Sequence, residues 1–339
     1  MRLHRIALGA VVVATLALTG CGATKDQATG DSSATSGGGA GAAAKATGLQ
    51  YMVPNAPGGG YDTTARAAAQ VMEKEGITNT VQVFNLPGAG GTVGLQRVVN
   101  EKGNGKLAMQ MGLGVLGAAY TQKSKASLND TTPIAKLIEE AGAIVVPKDS
   151  PYTDINQLVE AWKKDPKSLS VGGGSSPGGP DHLLPMQLAQ AVGIDPKEVN
   201  FVSYDGGGDL LPALLGGKIA FGASGFGEFL DQVEAGEVRV LAISGAERVD
   251  AIDAPTLTES GIDLVFTNWR GVVAPPEISD ADKAALVGAL TTMHASPEWK
   301  DVLAKNGWTD AYLPADEFAP FLTEQTTAVE DTLKKLGLA

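Results

Sequence analysis

The 339-residue chain predicts an α/β protein of two domains facing one another across a ligand cleft. Three observations predict it. Short apolar strands alternate with helical patterns from Leu49 onward, the signature of sheets with helices on their faces. The alternation restarts after a helix that begins near Asp154, so one βα set follows another. Glycine-rich turns stand at strand-to-helix junctions in both sets, the place where open α/β sheets hold their ligands.

Ahead of this body lies a segment of different character. Residues 1–20, MRLHRIALGAVVVATLALTG, have a basic head, an apolar run and small residues before Cys21, as an export signal does. The run is too short and too near a cleavage site for a dependable membrane span. The stretch LTGC ending at Cys21 resembles the lipobox of bacterial lipoproteins. That resemblance implies lipidation of Cys21 and anchoring of the exported chain to the outer face of the cell membrane, in the periplasm if an outer membrane is present. Residues 21–48 carry almost no large apolar side chain and form a Gly/Ser/Ala tether, which as a random coil spans roughly 30 Å.

Cys21 is the only cysteine, so the exported body has no disulfide and depends on its core. Loss of Arg2 and Arg5 with the signal takes the formal charge from −12 to −14. An acidic surface without a basic run argues against nucleic acid and anionic headgroups as partners. It leaves room for a small anion in a cleft, where a few local donors outweigh distant charge.

The elements follow in order. LQYMVPN, TVQVFNLP and KLAMQMG read as strands, separated by helices over 63–75 and 91–100. AIVVP leads into a capped amphipathic helix with Asp154 near its start. SLSVGGG, VNFVSYDGGG, KIAFGASG and RVLAIS then read as strands, with helices starting near Asp181, Asp209 and Glu228. DLVFTNWRGVVAP is a further strand, and helices over 280–293, 297–305 and 317–336 complete the chain. The sheet is expected to be largely parallel. Residues 49–145 and 269–339 are assigned to the first domain and 146–268 to the second, with crossings near Val145 and Trp269.

A strand, a glycine-rich turn and a helix start together aim bare backbone N–H groups and the positive end of a helix dipole at one spot. Two such turns occupy residues 57–62, with Gly58, Gly59, Gly60 and Asp62, and residues 172–181, with Ser175 and Ser176. A weaker third contains Tyr204 and Asp205. An anion fits such turns. The nucleotide motifs do not match: the first turn has no Gly-Lys-Ser/Thr, and GAGGTVG at 88–94 lacks an acidic ribose ligand after the next strand.

Enzymatic motifs fare no better. GSSPG at 174–178 has the form of a nucleophile elbow around Ser176, but the following Pro177 has no N–H for an oxyanion. Only His182 and His294 survive in the exported chain, which excludes a multi-histidine metal site and leaves a general base scarce. His182 is open to a ligand role or a helix-start role. No catalytic residue, cofactor or metal ligand is expected. Among five arginines, Arg270 in TNWRG is the candidate carboxylate clamp, against the alternative of a structural ion pair at the domain crossing. Arg66, four residues after Asp62, suits an intrahelical pair.

Seven motifs in order, PGGGYDTTAR, NLPGAGGTVG, VGGGSSPGGPDHL, VSYDGGGDLLPALLGGKIAFG, LAISGAERV, APTLTESGIDL and WRGVVAP, together resemble the substrate-binding proteins of tripartite tricarboxylate transporters, the TctC and Bug-type receptors. The resemblance runs from Leu49 to the C-terminus. It implies a periplasmic-binding-protein-like (Venus flytrap) fold without catalysis. It also implies a monomer that captures a small carboxylate, a tricarboxylate such as citrate being favoured, and delivers it to permease subunits in the membrane. Presentation of the ligand to a membrane sensor, or hydrolysis through Ser176, are the alternatives. Carried over by motif, Gly58, Gly59, Asp62, Ser175, Ser176, His182, Tyr204 and Asp205 hold the ligand. Two departures stand out: Asn85, Leu86, Pro87 and Gly88 replace Asn-Arg-Pro-Gly, and Ala223, Ser224 and Gly225 replace a segment that often carries an acid. The missing acid favours a multiply anionic ligand.

Overall fold

A computed structural model of the chain describes residues 48–249 and 252–338. The signal segment, Cys21 and the tether to residue 47 lie outside the described residues. Ten strands make one connected sheet that changes partners halfway along a single strand. In the first lobe, β1 (Gln50–Val53), α1 (Gly60–Lys74), β2 (Gln82–Asn85), α2 (Thr92–Asn100) and β3 (Leu107–Gly112) form a parallel block with β1 in the middle. Helix α3 (Leu113–Thr121) follows β3 directly, and β4 (Thr132–Pro147) then leaves this lobe.

The second lobe contains α4 (Ile155–Lys164), β5 (Val171–Gly173), α5 (Pro180–Ala191), β6 (Phe201–Ser203), α6 (Gly207–Leu215), β7 (Phe221–Gly225), the short α7 (Leu230–Glu234) and β8 (Val238–Ile243). The return strand β9 (Thr267–Ala274), α8 (Asp280–Ala295), α9 (Pro297–Asn306), β10 (Thr309–Pro314) and α10 (Ala315–Lys335) complete the first lobe. Among the described residues no helix is long and apolar enough to cross a membrane.

Helix α4 shows how local sequence builds these layers. Asp154 accepts from the Gln157 amide at 2.9 Å and caps the helix, which is worth about 1 kcal/mol. Ile155, Leu158, Val159 and Trp162 fall on one face at helical spacing and are all buried, each contributing about 1.5–3 kcal/mol of burial. Trp162 meets Phe221 edge-on at 5.2 Å.

The sheet is mixed, not largely parallel as the sequence suggests. Both long strands that pass between the lobes, β4 and β9, run antiparallel to each other and to the parallel blocks they touch. The first half of β4 and all of β10 have no strand signature in sequence. Lys136, Glu139 and Glu140 interrupt the apolar pattern of β4, yet Lys136 and Glu140 are buried. Lys136 pairs with Glu139 and lies 4.3 Å over the Phe321 ring, while Glu140 pairs with Arg270.

Along β4 the partner changes between Ala141, opposite Thr267 of β9, and Gly142, opposite Gly225 of β7. One buried hydroxyl ties this point to the returning chain. Ser244 Oγ accepts from the Gly142 amide at 2.8 Å and donates to the Phe266 carbonyl at 2.7 Å. The Ser244 backbone also bonds both segments. Ser244→Ala leaves a buried donor and acceptor unpaired and is expected to cost about 1–3 kcal/mol, read as a fall in Tm. An unchanged Tm would show that these groups find other partners.

Candidate functional site

The first two glycine turns are near-copies of each other, one from each lobe. PGGGYD at 57–62 and PGGPDH at 177–182 place Gly58 and Gly178 at the same positive φ of 89°, a conformation that favours glycine. The next residue in each, Gly59 or Gly179, is an extended N-cap to α1 or α5. In each turn the positive-φ amide donates to the side chain four residues on: Gly58 N to Asp62 Oδ2 at 3.0 Å, and Gly178 N to His182 Nδ1 at 3.1 Å.

Asp62 and His182 therefore brace their own turns. Asp62 also accepts from Arg66 Nε at 2.9 Å and Asn85 Nδ2 at 2.9 Å, so Arg66 makes the expected intrahelical pair. Burial pushes the His182 imidazole down to about 4, and its ring packs edge-on against Phe201. It is neutral at pH 7, with Nδ1 committed to a backbone amide.

The first amides of α1 and α6 have no side-chain cap, whereas in α5 Pro180 has no N–H and the Asp181 amide donates to Ser175 Oγ at 3.0 Å. All three helix starts border one cavity of about 60 Å³, several times the room that one ordered water requires. Of the residues expected from sequence, Gly59, Gly60, Ser175, Ser176, Asp205 and Arg270 line it. Gly58, Asp62, His182 and Tyr204 are not among its lining residues. Tyr204 instead packs against the core of the second lobe.

Arg270 makes the structural ion pair weighed for it and also lines the cavity. Its side chain is 2 % exposed, forms an ion pair with Glu140 of β4 and donates to Thr64 Oγ1 at 3.1 Å. Its guanidinium also lies 5.6 Å from the Trp308 ring centre. Nε has no hydrogen-bond partner, leaving one donor of a cavity-lining arginine uncommitted. Glu140 in turn accepts from the Gly227 amide of the second lobe at 3.0 Å, so this pair sits where the lobes join. Trp269, its neighbour, is buried between Phe318 and Phe321.

Sequence reasoning missed most of the lining. Asn55, Tyr61, Gly90, Asp181, Glu228 and Asn268 also border the cavity. Tyr61 accepts from the Val115 amide at 3.3 Å, and burial pushes its phenol up to about 12. Glu228 supplies an acid after β7 three residues beyond Ala223–Gly225, where the motif comparison found none. It was legible only as a helix start.

The acids have displaced titrations. Burial, first of all, raises Asp181 to about 6 despite hydrogen bonds from Ser224 Oγ at 2.6 Å and Gly174 N at 2.7 Å. Burial, then the charges of Asp181 and Glu140, raise Glu228 to about 8, with Arg270 and the Gly60 amide pulling the other way. The folded protein thus keeps a proton on Glu228 where the unfolded chain, at the ordinary 4.5, has lost it. Folding stability is expected to fall as pH rises from about 4.5 to about 8. Glu228→Gln should flatten Tm against pH over that window. An unaltered slope would assign the decline to other groups.

The lobes approach closely around the cavity. A Cβ on Gly90 would lie 3.2 Å from Ser176 Oγ, and one on Gly117 of α3 would lie 1.8 Å from the Gly178 carbonyl oxygen. Backbone from one lobe rests on backbone from the other, a contact only glycine allows.

A family model described as tripartite tricarboxylate transporter family receptor matches residues 64–338. A protein of Cupriavidus necator, described as UPF0065 protein in gbd 5'region, is 28 % identical over 295 residues, covering 86 % of this chain and 88 % of that protein. A solved periplasmic transporter is similar with a TM-score of 0.79 and 26 % identity, covering 86 % of this chain and 98 % of the other. MatC from Rhodopseudomonas palustris, solved with bound malate, has a TM-score of 0.75 and 24 % identity over 85 % of this chain and 99 % of its own.

Proposed function

Since the chain belongs to the family of tripartite tricarboxylate transporter receptors, we propose that it captures a small carboxylate in the cleft between its lobes and carries it to membrane permease subunits. The observation that carries this reading is the convergence of the uncapped starts of α1 and α6, at Gly59 and Gly206, and of the Ser175 and Ser176 turn on a cavity also lined by Arg270. Free amides at helix N-termini bind carboxylate without a counter-charge, and the arginine adds a charged donor. The malate bound by MatC is a ligand of this class.

The ligand-binding roles of Gly59, Gly60, Ser175, Ser176, Asp205 and Arg270 belong to this proposal. Asp62 and His182 act on the ligand indirectly, by holding the two turns. Citrate, favoured from the sequence, stands at the large and highly charged end of what a cavity of about 60 Å³ with acidic neighbours suits. Mono- and dicarboxylates suit it better. Release occurs by rotation about the two crossings, at Ala141–Gly142 and Phe266–Thr267, since ligand contacts to both turns are complete only when the lobes are together. Export, lipidation at Cys21, membrane attachment and a monomeric state complete the proposal.

Isothermal titration of the purified protein with citrate, succinate, malate and acetate tests it. A dicarboxylate is expected to bind at least tenfold more tightly than citrate. Silence with every carboxylate, together with a different compound co-purifying in native mass spectrometry, would overturn the reading. The hydrolase alternative finds no base beside Ser176, because His182 Nδ1 is already bonded to the Gly178 amide.

A further inference from the structure

Two helix starts of like polarity meet head to head at the cavity. Helix α1 opens at Gly60 in the first lobe and α6 at Gly207 in the second, and neither has a side-chain cap of its own. Their cap residues touch across the lobes: a Cβ on Gly206 would stand 3.6 Å from Gly59 Cα. The positive ends of two helix dipoles brought this close require an acceptor beside them. The chain supplies one from elsewhere. Glu228, after β7, faces the Gly60 amide, and a Cβ on Gly207 would come within 2.5 Å of its Oε2. That oxygen is buried and has no hydrogen-bond partner.

A carboxyl set between the starts of α1 and α6 stands in the place that the carboxylate reading gives to a ligand. Resting on that reading, we infer that Glu228 is a built-in competitor of the ligand: its carboxyl seats itself at the two helix starts and has to swing away before a ligand carboxylate reaches them. Glu228 and α6 belong to the second lobe and Gly60 to the first. The seated side chain therefore also helps to hold the lobes together, as a ligand does.

The competitor is seated as the neutral acid. Around it stand Asp181 from α5, Glu140 from β4, Arg270 from β9 and the Gly60 amide from α1, with Asp205 from the turn before α6 on the same wall. Burial and these three carboxyls, set against one guanidinium that is itself paired with Glu140, keep the proton on Glu228 up to about pH 8. Swung into water, Glu228 returns to the ordinary 4.5 and loses that proton at neutral pH. The seated form is thus fully favoured below about 4.5 and weakens as pH rises to about 8. Displacement near pH 7 releases about one proton, and affinity for a carboxylate rises with pH by up to about tenfold per unit. A ligand that instead hydrogen-bonds to the seated acid leaves the proton in place.

Titrating succinate, or malate where succinate is silent, into the purified protein at pH 6.5 and pH 7.5 tests this. Buffers of different ionisation enthalpy report proton release alongside affinity. Wild type is expected to bind roughly five- to tenfold more tightly at pH 7.5 than at pH 6.5, releasing about one proton. Glu228→Ala frees the helix starts and should bind at least about tenfold more tightly than wild type at pH 6.5, without that release. Glu228→Gln keeps a neutral side chain in the seat and should bind as weakly as wild type does at pH 6.5, again without release. The proton count of Glu228→Gln against wild type decides the matter even where Glu228→Ala does not fold. Weaker binding in both variants than in wild type would make Glu228 a ligand contact, overturning the inference and leaving the carboxylate reading standing. Binding by wild type without proton release would do the same. Silence of wild type with succinate, malate, acetate and citrate would overturn both readings.

Discussion

Arg270→Ala is expected to lower Tm by on the order of 10 °C before any effect on ligand is considered. The reason is the partner it leaves behind. Glu140 is 1 % exposed, and its ion pair with Arg270 holds its charge inside the junction of β4 and β9. Removing one member of a buried pair typically costs about 3–5 kcal/mol, and for a body of this size 1 kcal/mol moves Tm by roughly 2–4 °C. Arg270 also fills space beside Trp308 and the start of α1, where a Cβ on Gly60 would come within 2.1 Å of Nη2. The double variant Arg270→Met with Glu140→Leu removes both charges and should recover most of the loss, because well-packed apolar pairs often replace buried ion pairs without cost. Thermal melts of wild type, the single variant and the double variant decide the matter. A shift below about 2 °C for Arg270→Ala would mean that Glu140 is hydrated or protonated without it.

Gly117→Ala is expected to reduce ligand affinity at least a hundredfold while leaving the ligand-free protein as stable as wild type, or more so. In α3 the exchange of glycine for alanine favours the helix by up to about 1 kcal/mol. Its backbone φ is not positive, so the new residue adds no local strain. The added methyl would, however, stand 1.8 Å from the Gly178 carbonyl oxygen and 2.5 Å from its carbon. Gly178 belongs to the ligand turn of the other lobe, which backbone bonds and His182 hold in place. Thr121 Oγ1 reaches the Pro177 carbonyl of the same turn at 3.0 Å, so the approach is part of a packed contact. The cheapest relief is separation of the lobes, which withdraws the second turn from the ligand. Small-angle scattering should then give the variant the same larger radius with and without ligand. Wild-type affinity would show that α3 shifts within its own lobe and that this contact does not gate closure.

Much of the fold could be read from local chemistry. The cap at Asp154, the helical stripe from Ile155 to Trp162 and the strand-turn-helix units at residues 50–74 and 171–191 all depend on residues within a turn or two of one another. The same holds for the glycine turns: their composition alone announces a tight turn into a helix start. By contrast β10 and the first half of β4 were hidden. The charges that mask β4, Lys136 and Glu140, find their partners at Phe321 and Arg270, more than a hundred residues away.

The candidate site divides along the same line. Sequence by itself determined the two-lobed α/β class and marked the glycine turns at Gly59 and Ser175 and the arginine at position 270 as candidates, because each is a local pattern whose chemistry follows from backbone geometry and charge. Tertiary structure alone decided that Asp62 and His182 brace turns and that Glu140 neutralises Arg270. It alone also brought Glu228, Asp181 and Asn268 to one wall. Those assignments depend on which strands become neighbours when β4 and β9 cross between the lobes, and burial then sets which charges are paired and which are left for a ligand.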